Sequence, residues 1–182
     1  MKRIADLDPK QMTAAQRSAH HAIVSGPRGA VRGPLAVWLH RPELAYTAQA
    51  LGRYCRYETS LPPRLSELAI LVLARVWGSE YEWYVHKPLA LQAGVSPQIV
   101  EAIRNETPVF GDAAEAAVYT FLVDLHRDRK VSDAMYAEAV AQLGEAGVID
   151  LVGIAGYYTL ISMTINVFEV APPADVPNEL GP

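Results

Sequence analysis

Ser79, Glu82 and His86 stand at spacings i, i+3 and i+7. In a helix these positions form one stripe, with Glu82 and His86 neighbours one turn apart. A carboxylate beside an imidazole raises the imidazole pKa and holds the ring in one tautomer. Proton transfer near neutral pH uses such a pair. Lys87-Pro88 follows directly. Pro88 has no N–H, so a helix continuing through it leaves the Tyr84 carbonyl without its usual partner. A kink beside a titratable pair is a place for a pocket. The same spacing equally describes an exposed Glu–His pair, which contributes only about 0.2–0.5 kcal/mol.

Glu67 is the second chemical anomaly. It is flanked by Leu65, Leu68, Ala69, Ile70 and Leu71 in the most apolar helical stretch of the chain. A carboxylate buried there alone would protonate, so it either faces a polar cavity or is paired. Arg64 and Arg75 are its nearest candidate partners in sequence. For an anion site, Arg28 and Arg32 lie in a glycine-rich loop, where backbone can approach a ligand closely; solvated loop arginines are the simpler alternative. His40 follows Trp38-Leu39 and either lines the same pocket or is a satisfied structural histidine. Ser79, on the stripe with His86, is placed among the substrate contacts. Tyr158, Ser162 and Asn166 form an i, i+4, i+8 polar stripe, read as facing a cavity or, by preference, a subunit contact. A metal held by Glu67, Glu82 and His86 is not expected, because no second Glu-xx-His motif accompanies them.

The elements that must position these residues read as helices. Thr13 to Gln16 has capping-box spacing and AQRSAHHAIV follows. Gly26 to Pro34 is a loop by its Gly and Pro content. Pro42 opens ELAYTAQALGRYCRY, with Leu44, Thr47/Ala48, Leu51 and Tyr54/Cys55 on one face. Pro62-Pro63 opens a helix with ten apolar residues in the thirteen from Leu65 to Trp77, so it must be nearly enclosed. The next helix runs from Ser79 to Gly94, a fitting C′ glycine. Ser96-Pro97 caps another. Asp112 to Asp128 and Ser132 to Leu143 are amphipathic, and Leu151 to Phe168 carries no charge over 18 positions.

That last segment is long enough to be considered for spanning a membrane. Six of its 18 residues are Gly, Ser, Thr or Asn, and Asp150 and Glu169 border it instead of basic flanks. A core helix, partly covered by another subunit, is the better reading. No run alternates at period two beside turn signals, so the expected class is all-α. One domain spans 1–182, ending in a Pro-rich arm, APPADVPNELGP, over 171–182.

Composition narrows the partners. The chain has 182 residues, 51% of them hydrophobic and 20% charged, which excludes a disordered polymer. A net charge of −4 disfavours nucleic acid as a partner. The single cysteine, Cys55, excludes an internal disulfide and any CxxC redox or zinc motif. The amino-terminal stretch lacks the apolar core of a signal peptide, so a reducing cytoplasm is the expected location.

Residues 63–95, PRLSELAILVLARVWGSEYEWYVHKPLALQAGV, resemble the carboxymuconolactone decarboxylase family, which groups with the alkylhydroperoxidase-D-like proteins. The carrying features are the buried acid, the GSEYEWYVH block and the following LALQAGV. More weakly, the resemblance extends to residues 32–44 and to the closing GYYTLISMTINVF helix. In the redox branch the motif is Glu, eleven residues, Cys, two residues, Cys, three residues, His. Here Glu67 and His86 keep that spacing, but Ser79 and Glu82 stand at the cysteine positions. Thiol-based peroxide reduction needs an attacking thiolate and a resolving thiol. The resemblance therefore implies the lactone-decarboxylase branch, with Glu in the second position. A thiol peroxidase resting on Cys55, and a non-catalytic small-molecule binder on the same fold, are the alternatives.

Decarboxylation of a carboxylated lactone needs no metal or organic cofactor, because the electrons left behind enter the substrate's own conjugated carbonyl. The protein must supply a cation or N–H for the anion, a general acid of near-neutral pKa, and a water-poor wall. The expectation is His86 as proton donor, Glu82 as its orienter, and Glu67 as second acid/base or lactone anchor. Arg28, Arg32, His40 and Ser79 are expected to contact a small anionic organic substrate. The resemblance further implies a homotrimer or homohexamer.

Overall fold

The computed structural model describes residues 2–181. Eight helices make up the regular structure of the described residues, and none of those residues is in a strand. They are α1 (Ala14–Val24), α2 (Pro34–Trp38), α3 (Pro42–Tyr57), α4 (Pro63–Val76), α5 (Glu80–Gln92), α6 (Pro97–Arg104), α7 (Ala113–Asp128) and α8 (Asp133–Phe168). Many boundaries sit where local chemistry puts them. Thr13 and Gln16 form the reciprocal capping box. The side chains of Ser96, Asp112 and Ser132 accept from backbone N–H groups of α6, α7 and α8. Pro34, Pro42, Pro63 and Pro97 each open a helix, where the missing N–H costs nothing. The last helix is interrupted at Gly144, whose φ of 73° and ψ of 165° are non-helical. This break divides the amphipathic stretch ending at Leu143 from the apolar one beyond it.

Helix α4 is the hub, packing against α5, α6, α7 and α8. Its apolar composition requires that position. Leu68, Leu71 and Leu73 are wholly buried, each contributing about 1.5–3 kcal/mol relative to exposure. Arg64 reaches away from the core to Asp112 at 3.0 Å and to Glu115, tying α4 to the start of α7. Arg75 donates to the Arg104 carbonyl at 2.8 Å and pairs with Glu106 at 3.2 Å. Neither arginine is thus the partner that sequence neighbourhood suggested for Glu67.

Two expectations are corrected. The buried face of α3 is Ala45, Ala48, Gly52 and Cys55, while Leu44 and Leu51 remain exposed. Small residues let α3 lie close to α1 and α8, and closeness wins over side-chain size. The stripe of Tyr158, Ser162 and Asn166 does not share one environment: Tyr158 and Ser162 are buried inside this chain, Tyr158 in the wall of a cavity as one of the two readings had it, while Asn166 is exposed and donates to the Trp77 carbonyl at 2.7 Å. Helix α8 is long and apolar enough to cross a membrane by composition, yet 61% of its most apolar window is buried within the fold, as in a core helix.

The described residues of the Pro-rich tail, 171–181, are without helix or strand, but they are docked. Glu80 accepts from the backbone N–H groups of Glu179 and Leu180, at 2.9 and 2.7 Å. Glu179 in turn accepts from Trp83 Nε1 at 3.1 Å and from Lys87 Nζ at 2.5 Å. Three residues of α5 are therefore held by the last turn of the chain.

Candidate functional site

Helices α4 and α5 bring Glu67, Glu82 and His86 together. His86 is almost fully buried, and its two ring nitrogens face two carboxylates. Nδ1 lies 2.7 Å from Glu67 Oε2. Nε2 lies 3.2 Å from Glu82 Oε2, one helical turn back. Because an ionised carboxylate only accepts, Nδ1 carries its proton toward Glu67. The Glu82 contact is close but poorly aligned, and Glu82 Oε2 makes no hydrogen bond of good geometry. Burial works against charge on His86, but the hydrogen bonds and fields of Glu67 and Glu82 outweigh it and hold the pKa above the ordinary histidine value. The result is a ring clamped on one side and loosely held on the other, with its charged form favoured relative to a free histidine.

Beside this trio lies a cavity of about 480 Å³. Its wall includes His86, Glu82, Tyr81 and Val85 from α5, Arg56 from α3, Arg28, Ala30 and Arg32 from the glycine-rich loop, and Tyr157, Tyr158 and Ile161 from α8. No carboxylate among the described residues is in ion-pair range of Arg28, Arg32 or Arg56. Arg28 donates to the Tyr157 hydroxyl at 3.1 Å, and its Nε is buried without a partner. Arg56 stacks over Tyr57, its guanidinium carbon 5.3 Å from the ring centre. Unpaired guanidiniums along one wall make a site for a small anion. Burial pushes the Tyr157 hydroxyl up to about 12, against the opposing charge of Arg28.

Two glycines make room for this wall. Gly33 has φ of 58°, and a Cβ there would run into the Tyr81 ring. A Cβ on Gly52 would overlap the Tyr157 ring and the Arg28 guanidinium. Helix α3 therefore carries glycine where the two cavity groups cross it.

Among the residues singled out in the sequence, Arg28, Arg32, Glu82 and His86 line the cavity. Glu67 is outside the cavity lining, its carboxylate 2.7 Å from His86 Nδ1, which places it to hold the ring. Ser79 does not line the cavity. It is the N-cap residue of α5, with φ −89° and ψ 86°, so the helical stripe does not extend to it; its hydroxyl is buried without a partner. His40 also lies outside the cavity: its Nε2 is bonded to the Ala5 carbonyl at 2.9 Å, pinning the amino-terminal segment. Tyr158 also lines the cavity, one of the two readings its polar stripe allowed, whereas Arg56, Tyr81 and Tyr157 join the wall without having been assigned to it from sequence. Gly52 opposite Tyr157 was the available signal.

Cys55 is fully buried and is not part of the cavity wall. Burial and the nearby Asp150 charge push its thiol up to about 11, overriding Arg28. Among the described residues no group of three or more His, Cys, Asp or Glu side chains is arranged to hold a metal. In the trio itself, both imidazole nitrogens are already turned to carboxylates.

Comparison with known proteins bears on the fold and the family. A model of the carboxymuconolactone decarboxylase family matches residues 42–124, the span from the start of α3 to within α7. No curated protein matches the chain. Among solved structures, an uncharacterized peroxidase-related protein from Silicibacter sp. TM1040 superposes with a TM-score of 0.75 at 15% identity, covering 99% of this chain and 94% of that one. The helical architecture is thus shared over the whole length, at an identity that speaks for fold alone.

Proposed function

Starting from residues 42–124 as a carboxymuconolactone decarboxylase family region, we propose that this protein is a cofactor-independent lyase. It would decarboxylate, by acid–base proton transfer, a small carboxylated lactone or enol-forming acid. The observation that carries the proposal is a buried imidazole between two carboxylates, opening on a cavity with three arginines that lack carboxylate partners.

The substrate carboxylate enters against Arg28, Arg32 and Arg56. The bond between that carboxyl group and the ring carbon breaks, CO2 leaves, and the bonding electron pair passes into the conjugated carbonyl as a dienolate. The dienolate is then protonated on carbon by His86 Nε2, whose proton is loosely shared with Glu82. Glu67 keeps Nδ1–H in place, so the ring returns to the same orientation when a solvent proton reloads Nε2. The arginines stabilise the anion through the enolate stage, where charge moves without being lost.

Two facts favour this over a thiol peroxidase. The one thiol is buried and does not line the cavity, and its pKa is raised where a nucleophile's would be lowered. The name of the structural neighbour nonetheless makes peroxide turnover the rival to test. The experiment is a screen of carboxylated lactones and keto acids, following CO2 release and product absorbance, with His86→Asn alongside. CO2 release that disappears in a folded His86→Asn supports the proposal. Peroxide reduction that disappears in Cys55→Ser, without CO2 release from any acid, replaces it with the rival.

A further inference from the structure

We propose that the hydroxyl of Tyr158 is a further substrate-contacting group of this cavity, a neutral hydrogen-bond donor to the oxygen that gains negative charge when the bound ring becomes an enolate. This rests on the proton-transfer reading of the site and deepens it by naming the donor for the oxyanion.

Tyr158 is in the cavity wall and is 2% exposed. Its ring meets the His86 ring edge-on, with centroids 5.3 Å apart and planes at 88°. It meets Tyr157 in the same manner at 5.2 Å and 89°. Two aromatic contacts fix the phenol beside the proton donor. Yet its hydroxyl, shielded from bulk water, has no hydrogen-bond partner. Few buried hydroxyls in folded proteins lack one, since leaving a donor unmade is costly. Its neighbour Tyr157 shows the usual outcome, with a hydroxyl bonded to Arg28. Because Tyr158 belongs to the cavity wall, a molecule bound there is the partner we assign to its hydroxyl.

The chemistry suits an enolate oxygen better than a carboxylate. Arg28, Arg32 and Arg56 already supply cationic donors for a carboxylate. A reacting enolate needs a donor next to the group that protonates its carbon, and Tyr158 is the wall residue that meets that group edge-on. Burial, reinforced by Glu82, raises the Tyr158 pKa well above 10, so the phenol keeps its proton at neutral pH. A fixed donor in a water-excluded site stabilises developing charge more than the same donor in water. The Ser162 hydroxyl, one turn further along α8, is also unpartnered but does not line the cavity, so it serves as the control.

The test is calorimetric binding of two five-membered-ring anions to the full chain. Tetronate is a lactone enolate; furan-2-carboxylate carries its charge on a carboxylate alone. Tyr158→Phe removes the hydroxyl and keeps both ring contacts. The expected result is a tenfold or greater loss of tetronate affinity in Tyr158→Phe, less than twofold change for furan-2-carboxylate, and no change for either probe in Ser162→Ala. In the unaltered protein, the Tyr158 hydroxyl proton should move downfield in NMR on saturation with tetronate and not with furan-2-carboxylate. Equal tetronate affinity in Tyr158→Phe and parent, with an unmoved hydroxyl proton, overturns the donor role while leaving the arginine cavity standing. Equal weakening of both probes also overturns it, since the hydroxyl would then serve packing. Failure of the parent to bind either probe overturns the anion cavity itself, and this inference with it.

Discussion

Replacing Glu67 by Gln keeps the shape of the acceptor that holds His86 Nδ1 and removes its charge. The contact is short, at 2.7 Å, and both side chains are largely buried, at 3% and 12% exposure, so solvent screens it little. Hydrogen bonds to charged groups contribute about 1.5–3 kcal/mol and neutral ones about 0.5–1.5. The substitution should therefore cost about 1–2 kcal/mol wherever His86 is an imidazolium. The sign of the pH dependence follows from the raised folded-state pKa. Stability from a group raised on folding is fully present below its unfolded value, about 6.5 for histidine, and is lost as pH rises through the higher folded value. The Glu67→Gln deficit should thus be largest near pH 5.5 and fade at alkaline pH, where the neutral imidazole donates almost as well to an amide oxygen. With a urea m value of about 2 kcal/mol/M, the unfolding midpoint falls by roughly 0.5–1 M at pH 5.5. Urea melts of parent and variant at pH 5.5 and pH 9 decide the matter. An equal deficit at both pH values, or a larger one at pH 9, would contradict a hold of Glu67 on His86 that is lost as the imidazolium titrates between them.

Three further outcomes are expected. Gly52→Ala places a methyl group into the Tyr157 ring and the Arg28 guanidinium; it should cost about 1–3 kcal/mol in thermal or urea melts and weaken anion binding, and an unchanged melt would mean the wall has slack. Glu179→Gln loosens the tail from Trp83 and Lys87 by at most about 1 kcal/mol, since the ion pair is about one-third exposed. Burial opposes ionisation of Glu179, but Lys87 and Trp83 hold its carboxyl below the usual range. Parent stability should then fall as pH drops through that lowered value, and the variant should lose this dependence, as read by Trp fluorescence in acid titrations. Cys55 should resist alkylation in the native protein at pH 8 and react fully in urea, as its burial and raised pKa require; rapid native labelling would contradict the structure around it.

Some of the site was legible without coordinates because it is local. Glu82 and His86 are one turn apart in a helix, and helical geometry alone makes them neighbours. Glu67 was suspicious for an equally local reason, an acid among leucines, although its partner is nineteen residues away and was sought in adjacent arginines. What failed was long-range or terminal. His40 is held by a carbonyl 35 residues distant, in a segment with no periodic pattern. Ser79 shares the numerical stripe but stands at the helix cap, where the backbone leaves helical geometry. Arg56 and Tyr157 join the wall only through the packing of α3 on α8, and the small residue that permits it, Gly52, reads in sequence as a weakness in a helix. The all-helical class followed from the capping residues, the prolines and the lack of period-two runs. The tail's docking on α5 did not, since a Pro-rich segment signals extension and says nothing about where it lies.

The claim that His86 delivers a proton to substrate carbon is tested most directly by running the reaction in D2O with an acid found to release CO2. The product should carry one deuterium on a carbon of the former dienolate, and folded His86→Asn should form labelled product at least a hundredfold more slowly. Labelled product formed at the parent rate by His86→Asn would contradict it.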